Sequence, residues 1–312
     1  MANKLTTRDG SAVSRFAFGA MQWGESASAA DARATYEACR AAGINHFDTA
    51  HVYGDGASEQ VVAELCGPER DTLYIATKVS YPGGNSRASI LSSVEDSRVR
   101  LKMDQIDLLY LHRFDDDVPL EESFETLAKL QSDGVIRHIG VSNFAAWQLV
   151  KAQGIAASFG TRIDMLQPMY NLVKRQVEVE ILPASADQGI EVCSYSPLGG
   201  GLLTGKYARG ETEGRFANSA MYRGRYDVDW MRGAAASLND IAGELGTSAA
   251  VLAIAWLTRH APDVRPILSA RTAGQIGASI EGMSYALDDA TYDRITALSP
   301  TPAPATDRLE EA

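Results

Sequence analysis

Asp48, Tyr53, Lys78 and His112 are residue types suited to proton chemistry, and each stands at or just beyond the carboxyl end of a short apolar run. Asp48 lies in NHFDTA (45–50) and Tyr53 follows in DTAHVYG; Lys78 lies in TLYIATKV (72–79) and His112 closes QIDLLYLH (105–112). A phenol titrates near 10 and alone is a poor acid at neutral pH. A nearby ammonium favours phenolate and lowers that value. A carboxylate beside the lysine keeps it charged and placed, and a neutral imidazole orients a carbonyl oxygen by donating a hydrogen bond. Together the four protonate an oxygen while another species attacks the carbon. The sequence shows no metal-ligand cluster and no Ser/His/Asp elbow, so the attacker is expected to be hydride from a cofactor.

Each residue also has an ordinary reading. Asp48 can cap a turn, Tyr53 can be a surface ring, and His112 can be a satisfied core histidine. Lys78 inside a strand resists such a reading, because an unpaired buried lysine is costly. The conjunction of the four in order carries the argument. His51 reads as a surface or supporting residue, and Cys193 as core. The run Asp115, Asp116 and Asp117 reads as a solvated, capping loop.

The elements that must position these groups alternate. Eight apolar runs recur at 15–21, 45–50, 72–79, 105–112, 136–143, 162–169, 189–196 and 264–270, and longer amphipathic stretches separate them. In PLEESFETLAKLQSDG, Pro119 and the acids Glu121 and Glu122 open a helix and Gly134 ends it. Strands alternating with helices predict a parallel sheet, and eight such units predict a closed (β/α)8 TIM barrel. An open doubly wound sheet is the alternative, disfavoured because no GxGxxG follows the first run. Asp9-Gly10 predicts a hairpin over residues 4–14. Residues 199–226 read as a long loop, and 299–312 as a polar, Pro-rich tail. In a barrel, catalytic groups sit at the carboxyl ends of the strands, which is where the four residues fall. Side chains alternate, so an inward Lys78 implies inward Ala76 and Tyr74, and an inward His112 implies inward Tyr110 and Leu108. Tyr53 returns to that mouth only if the chain turns after Ala50.

The chain has 312 residues, of which 45% are hydrophobic and 22% charged, an ordinary globular composition. Barrels of about 250 residues or more form one domain, so one domain over 1–312 is expected. The formal charge of −11 argues against nucleic acid as a partner. The three cysteines, Cys39, Cys66 and Cys193, form no CxxC and suit a reducing compartment. No run of about 18 apolar residues occurs, so a cytoplasmic protein with no membrane partner is expected. The sequence carries no signature of oligomeric state.

The order of FDTAHVYG, ATKVS, DLLYLH, GVSNF, LQPMYN and YSPLGGGLLTGKY resembles the aldo-keto reductases over nearly the whole chain, and YRGRY (222–226) resembles the long-loop branch of bacterial reductases, a feature shared with the potassium-channel β-subunits. The resemblance implies a (β/α)8 barrel that binds NADPH without a Rossmann domain and reduces aldehydes and ketones. It implies Asp48, Tyr53, Lys78 and His112 as the catalytic tetrad, with Tyr53 the proton donor. It places Ser142, Asn143 and Gln167 on the nicotinamide carboxamide, and Tyr195 against the nicotinamide ring. Ser196, Leu198, Gly200 and Lys206 fall in the pyrophosphate segment, and Ser269, Arg271 and Gln275 where the adenosine 2′-phosphate binds. Trp23, Met21 and Tyr81 are expected to line the substrate pocket for a small carbonyl compound. Two departures bear on the cofactor: ILSAR (267–271) stands where the family runs IPGAR, and Ala278-Ser279 stands where it has a Glu-Asn pair. NADH therefore stays open beside NADPH. Competing functional readings are a cofactor-binding regulatory subunit with little turnover and an NAD-dependent alcohol or sugar dehydrogenase.

Overall fold

Eight parallel strands hydrogen-bond in chain order, and the last closes on the first, in the computed structural model, which describes residues 5–207, 214, 219–308 and 310. They are β1 (Ala17–Gly19), β2 (His46–Asp48), β3 (Tyr74–Val79), β4 (Ile106–Leu111), β5 (Ile136–Ser142), β6 (Met165–Gln167), β7 (Glu191–Ser194) and β8 (Val264–Leu268). Each falls inside one of the eight apolar runs, so the expected barrel is the fold observed. The helices are α1 (Ala29–Ala41), α2 (Ala57–Cys66), α3 (Arg87–Leu101), α4 (Leu120–Ser132), α5 (Ala146–Ser158) and α6 (Ile181–Asp187), then α7 (Ala220–Tyr226), α8 (Asp229–Glu244), α9 (Ala249–His260), α10 (Ala273–Gly282) and α11 (Asp289–Thr296). Local chemistry sets several of their ends. The Ser28 side chain accepts from the Asp31 N–H and the Ser86 side chain from the Ser89 N–H, satisfying first-turn donors of α1 and α3. Gly134, with φ +75°, ends α4 as expected from the sequence.

The period-2 alternation divides the core into two layers. Ala17, Tyr74, Ala76, Leu108, Tyr110, Met165, Cys193 and Ile267 point into the barrel. Phe18, Phe47, Ile75, Leu109, Leu111, Val141 and Leu166 point outward under the helices. The expected inward set of Tyr74, Ala76, Leu108 and Tyr110 is therefore observed. The N-terminal hairpin is short: Thr6 and Ala12 bridge antiparallel, and Leu5 and Val13 join the interior layer.

One expectation changes. The run 199–226 is not loop throughout: Gly199–Thr204 forms a 3-10 turn and Ala220–Tyr226 a helix, while 208–213 and 215–218 lie outside the described residues. Residues 299–308 carry neither helix nor strand.

Candidate active site

Strand register brings Asp48 and Lys78 together. Asp48 lies beside Ala76, and Lys78, two residues further along β3, rises past it. Lys78 Nζ donates to Asp48 Oδ1 at 2.5 Å, to the Thr49 carbonyl at 2.8 Å and to the Tyr53 hydroxyl at 3.5 Å. Gln167 Nε2 donates to the second Asp48 oxygen at 2.8 Å. The Lys78 and Asp48 side chains are 1% and 4% exposed, so water does not compete for the pair. His112 completes the group by ring contact, its imidazole lying edge-on to the Tyr53 ring with centroids 6.0 Å apart.

Tyr53 reaches this cluster by the expected turn. The His51 N–H donates to the Lys78 carbonyl at 2.9 Å and the Tyr53 N–H to the Ala50 carbonyl at 3.0 Å. Gly54, Asp55 and Gly56 then take φ of +54°, +51° and +93°, a left-handed stretch that glycine eases. Sequence reading did not anticipate what holds the turn. The Arg100 guanidinium, from α3, donates to the His51 carbonyl at 3.0 Å and pairs with the fully buried Glu59 at 3.5 Å. Glu59 in turn accepts from Thr77 Oγ1 at 2.6 Å. A Cβ on Gly56 would lie 2.4 Å from the Arg100 guanidinium carbon. Gly56→Ala is therefore expected to lose about 1–3 kcal/mol of stability and to lower kcat as Tyr53 shifts. Gly67→Ala, with nothing within 4 Å, is the control. Equal melting temperatures for the two variants would refute Arg100 as the brace.

Burial and charge act in opposition on these groups. Burial raises the Tyr53 phenol above its ordinary value, and the Lys78 ammonium opposes that without overcoming it. The lysine was expected to lower the phenol; the sequence does not reveal the burial that outweighs it. Burial would lower Lys78, but the Asp48 carboxylate and Tyr53 keep it raised and therefore an ammonium. His112 is pushed down to about 3, first by burial and then by Lys78 and Arg113. At neutral pH the site thus holds a protonated phenol, an ammonium and a neutral imidazole.

The expected carboxamide residues form one hydrogen-bonded chain beside the tetrad. Ser142 Oγ donates to the Gln167 carbonyl at 3.0 Å, and Asn143 Nδ2 donates to Ser142 Oγ and to the His112 carbonyl, each at 3.0 Å. The Tyr195 hydroxyl donates to Asn143 Oδ1 at 2.7 Å, which holds that ring across the mouth. Ser196, at φ +59°, turns the chain away from Tyr195, and its carbonyl accepts from Asn171 Nδ2 at 2.9 Å. Asn171 is a second supporting residue that sequence reading missed. Leu198 and Gly200 sit in the following turn, where a Cβ on Gly200 would meet the Tyr222 ring at 2.5 Å. Lys206 lies half-buried just beyond, over the Tyr207 ring. Ser269, Arg271 and Gln275 gather where β8 leads into α10. Ser269 Oγ accepts from Gln22 Nε2 at 3.2 Å, and Gln275 Oε1 accepts from the Arg271 N–H at 3.1 Å, leaving the Arg271 side chain exposed.

The pocket residues divide. Tyr81 packs on His112 with centroids 5.5 Å apart, and Met21 is half-buried after β1. Trp23 is a correction. It is 0% exposed and packs on Phe18 at 4.8 Å and Phe47 at 6.2 Å, in the layer between strands and helices. A turn closed by the Trp23 N–H donating to the Ala20 carbonyl at 2.8 Å folds the indole back there, away from the mouth.

A proton-holding phenol beside a buried ion pair, at the carboxyl end of a parallel barrel, defines an oxidoreductase that works on carbonyl groups. The chain belongs to the aldo/keto reductase family, whose model matches residues 15–300. A probable voltage-gated potassium channel subunit beta from Oryza sativa is 35% identical, covering 87% of this chain and 88% of its own. An uncharacterized oxidoreductase of Bacillus subtilis is 31% identical over 95% of each chain. Aflatoxin B1 aldehyde reductase member 2 of Rattus norvegicus is 36% identical over 67% of this chain and 60% of its own. The structure of a glycerol dehydrogenase from Gluconobacter oxydans superposes with a TM-score of 0.78 at 29% identity, covering 92% of each chain.

Proposed function

We propose that this chain is a cytoplasmic carbonyl reductase that uses NADPH to convert a small aldehyde or ketone to the alcohol, with Tyr53 as proton donor. The observation that carries the reading is Lys78 Nζ joining Asp48 at 2.5 Å to the Tyr53 hydroxyl at 3.5 Å. A bound reduced nicotinamide supplies the hydride. Tyr53 holds the proton at Oη and delivers it to the carbonyl oxygen. Lys78 stays charged and stabilises the phenolate left behind, while Asp48 and Gln167 fix the ammonium. Neutral His112 orients the carbonyl oxygen toward Tyr53.

The residues present fit a nicotinamide dinucleotide. Ser142, Asn143 and Gln167 offer amide and hydroxyl groups to a carboxamide, and Tyr195, pinned by Asn143, offers a ring face. The exposed guanidinium of Arg271 stands at the start of α10, where helix N–H groups and a planar fork suit a 2′-phosphate. Ser279, at one position of the absent Glu-Asn pair, is 1% exposed and packs inward, so adenine is held more weakly on that side. The test is nicotinamide oxidation against aromatic and aliphatic aldehydes, with NADPH and NADH in parallel. Turnover with NADPH dominant is the expected result, and NADH dominance would overturn the role of Arg271. Tight cofactor binding without turnover would favour a regulatory subunit, a reading supported by the likeness to the channel subunit.

The pH profile follows from the site's electrostatics. The donor must be protonated, so activity is present below the phenol pKa and lost above it. Burial raises that pKa beyond its ordinary value near 10, so kcat/KM should stay level to about pH 9. His112 remains neutral until pH falls toward about 3, so no acid limb arises near 6.5. A limb centred near 6.5 that His112→Gln abolishes would contradict the neutral-imidazole role.

A further inference from the structure

Among the described residues, two arginines at the mouth have no acid partner. The Arg113 guanidinium lies 3.9 Å over the Tyr81 ring, and Tyr81 packs on His112 at 5.5 Å. The Arg225 guanidinium, from α7, lies 5.8 Å over the Tyr222 ring. Tyr222 presses on Gly200 and is within electrostatic reach of both Tyr53 and Tyr195. The two Arg-on-Tyr stacks thus approach the tetrad from the β4 side and the α7 side. Stacking fixes each planar fork while leaving its N–H donors free for an oxyanion.

One acid near each arginine is engaged elsewhere. Asp115, two residues from Arg113, accepts from the backbone N–H groups of Asn85 at 2.8 Å and Asp117 at 3.0 Å. Asp227, two residues from Arg225, is held by Arg232. Most other arginines of this acidic chain pair with carboxylates, as Arg40, Arg70, Arg87, Arg137 and Arg265 do. Among the described residues no carboxylate pairs with Arg113 or Arg225. Half-buried Lys174, over the Tyr226 ring at 5.7 Å, adds a further cation on the α7 side and feels repulsion from Arg225. Among the described residues Arg113, Arg225 and Lys174 pair with no carboxylate, and in a chain of net charge −11 they make a local anion trap.

We propose that the mouth carries an anion subsite, with Arg113 as its principal ligand and Arg225 as the second, so that the preferred substrates are carbonyl compounds bearing a carboxylate. The proposal rests on the carbonyl-reductase reading and names the substrate class of that same site. Arg113 and Arg225 grip the end of the substrate remote from the reacting carbon. They act on binding, so their loss raises KM more than it lowers kcat.

The probes are 4-carboxybenzaldehyde and benzaldehyde, which differ by one carboxylate on the same ring. The full-length enzyme is expected to favour the charged aldehyde in kcat/KM by about tenfold. That ratio should shrink at 0.5 M salt and fall toward one in Arg113→Gln/Arg225→Gln, and Arg113→Lys should restore part of it. Equal kcat/KM for the two aldehydes, or a preference that survives the double substitution, overturns the subsite. Calorimetric binding of benzoate against benzyl alcohol, with and without NADP, reads the arginines independently of turnover. If neither aldehyde turns over, the reductase reading falls. Benzoate binding that the double substitution abolishes would then uphold the subsite, and benzoate binding it leaves intact would overturn it.

Discussion

Tyr53→Phe is expected to lower kcat for carbonyl reduction by about 10²–10⁴-fold, the range a positioned general acid supplies. The substitution deletes one oxygen. It leaves the ring on its left-handed turn, the edge contact with His112 and the Lys78–Asp48 pair in place. Lys78 Nζ loses its contact at 3.5 Å but keeps Asp48 and the Thr49 carbonyl, so the ammonium stays satisfied. Stability should therefore change by less than about 1 kcal/mol. Cofactor affinity should be retained, because the carboxamide chain of Ser142, Asn143 and Tyr195 does not pass through the Tyr53 hydroxyl. KM should move far less than kcat, since the proton is needed only as the oxygen gains charge. Stopped-flow turnover with a parallel fluorescence titration of NADPH separates the two quantities. A variant that keeps a near-native rate would show that water or His112 delivers the proton.

This expectation was partly legible before any geometry. A lysine near the carboxyl end of an apolar run and an aspartate at the end of the preceding one are hard to place in a barrel except facing each other at the mouth. The turn that returns Tyr53 was legible too, because the strand's alternation forbids Asp48 and Tyr53 from sharing a face. The brace beneath that turn was not. Arg100 reads as an ordinary basic residue near the end of a helix, and only folding sets it against Gly56 and the buried Glu59. Trp23 misled for a related reason. Four residues beyond β1 an aromatic side chain can face the mouth or fold under the helices, and one backbone hydrogen bond to Ala20 decides between them. The helix Ala220–Tyr226 escaped because seven residues with Gly224 in their midst carry no apolar period, and its place is set by Tyr222 and Tyr226 packing on the Gly199–Thr204 turn and the Asn171 side chain. Chemistry placed at the carboxyl ends of the strands is readable from spacing; a support that depends on a helix or turn folding back against them is not.

Lys78→Met is expected to remove both activity and stability, and the stability loss identifies its cause. With the ammonium gone, Asp48 keeps the Gln167 amide as its side-chain donor in a place where its own side chain is 4% exposed. Breaking one member of a buried pair costs about 3–5 kcal/mol, because the remaining charge has neither water nor partner. That is a large part of the 5–15 kcal/mol typical of a folded domain. Adding Asp48→Asn should recover part of the loss, since a neutral amide in the same place needs no counter-charge. The pH dependence has a definite sign. In Lys78→Met the lone carboxylate has its pKa raised by burial, so it binds a proton more readily when folded than when unfolded. The deficit is present above that raised pKa and relieved below it, so the gap to wild type should narrow from pH 8 to pH 5. Denaturant unfolding of the two single variants and the double variant at both pH values measures this directly. A double variant less stable than Lys78→Met, or a gap that widens on acidification, would mean that the Lys78 stem, rather than its charge, holds the mouth together.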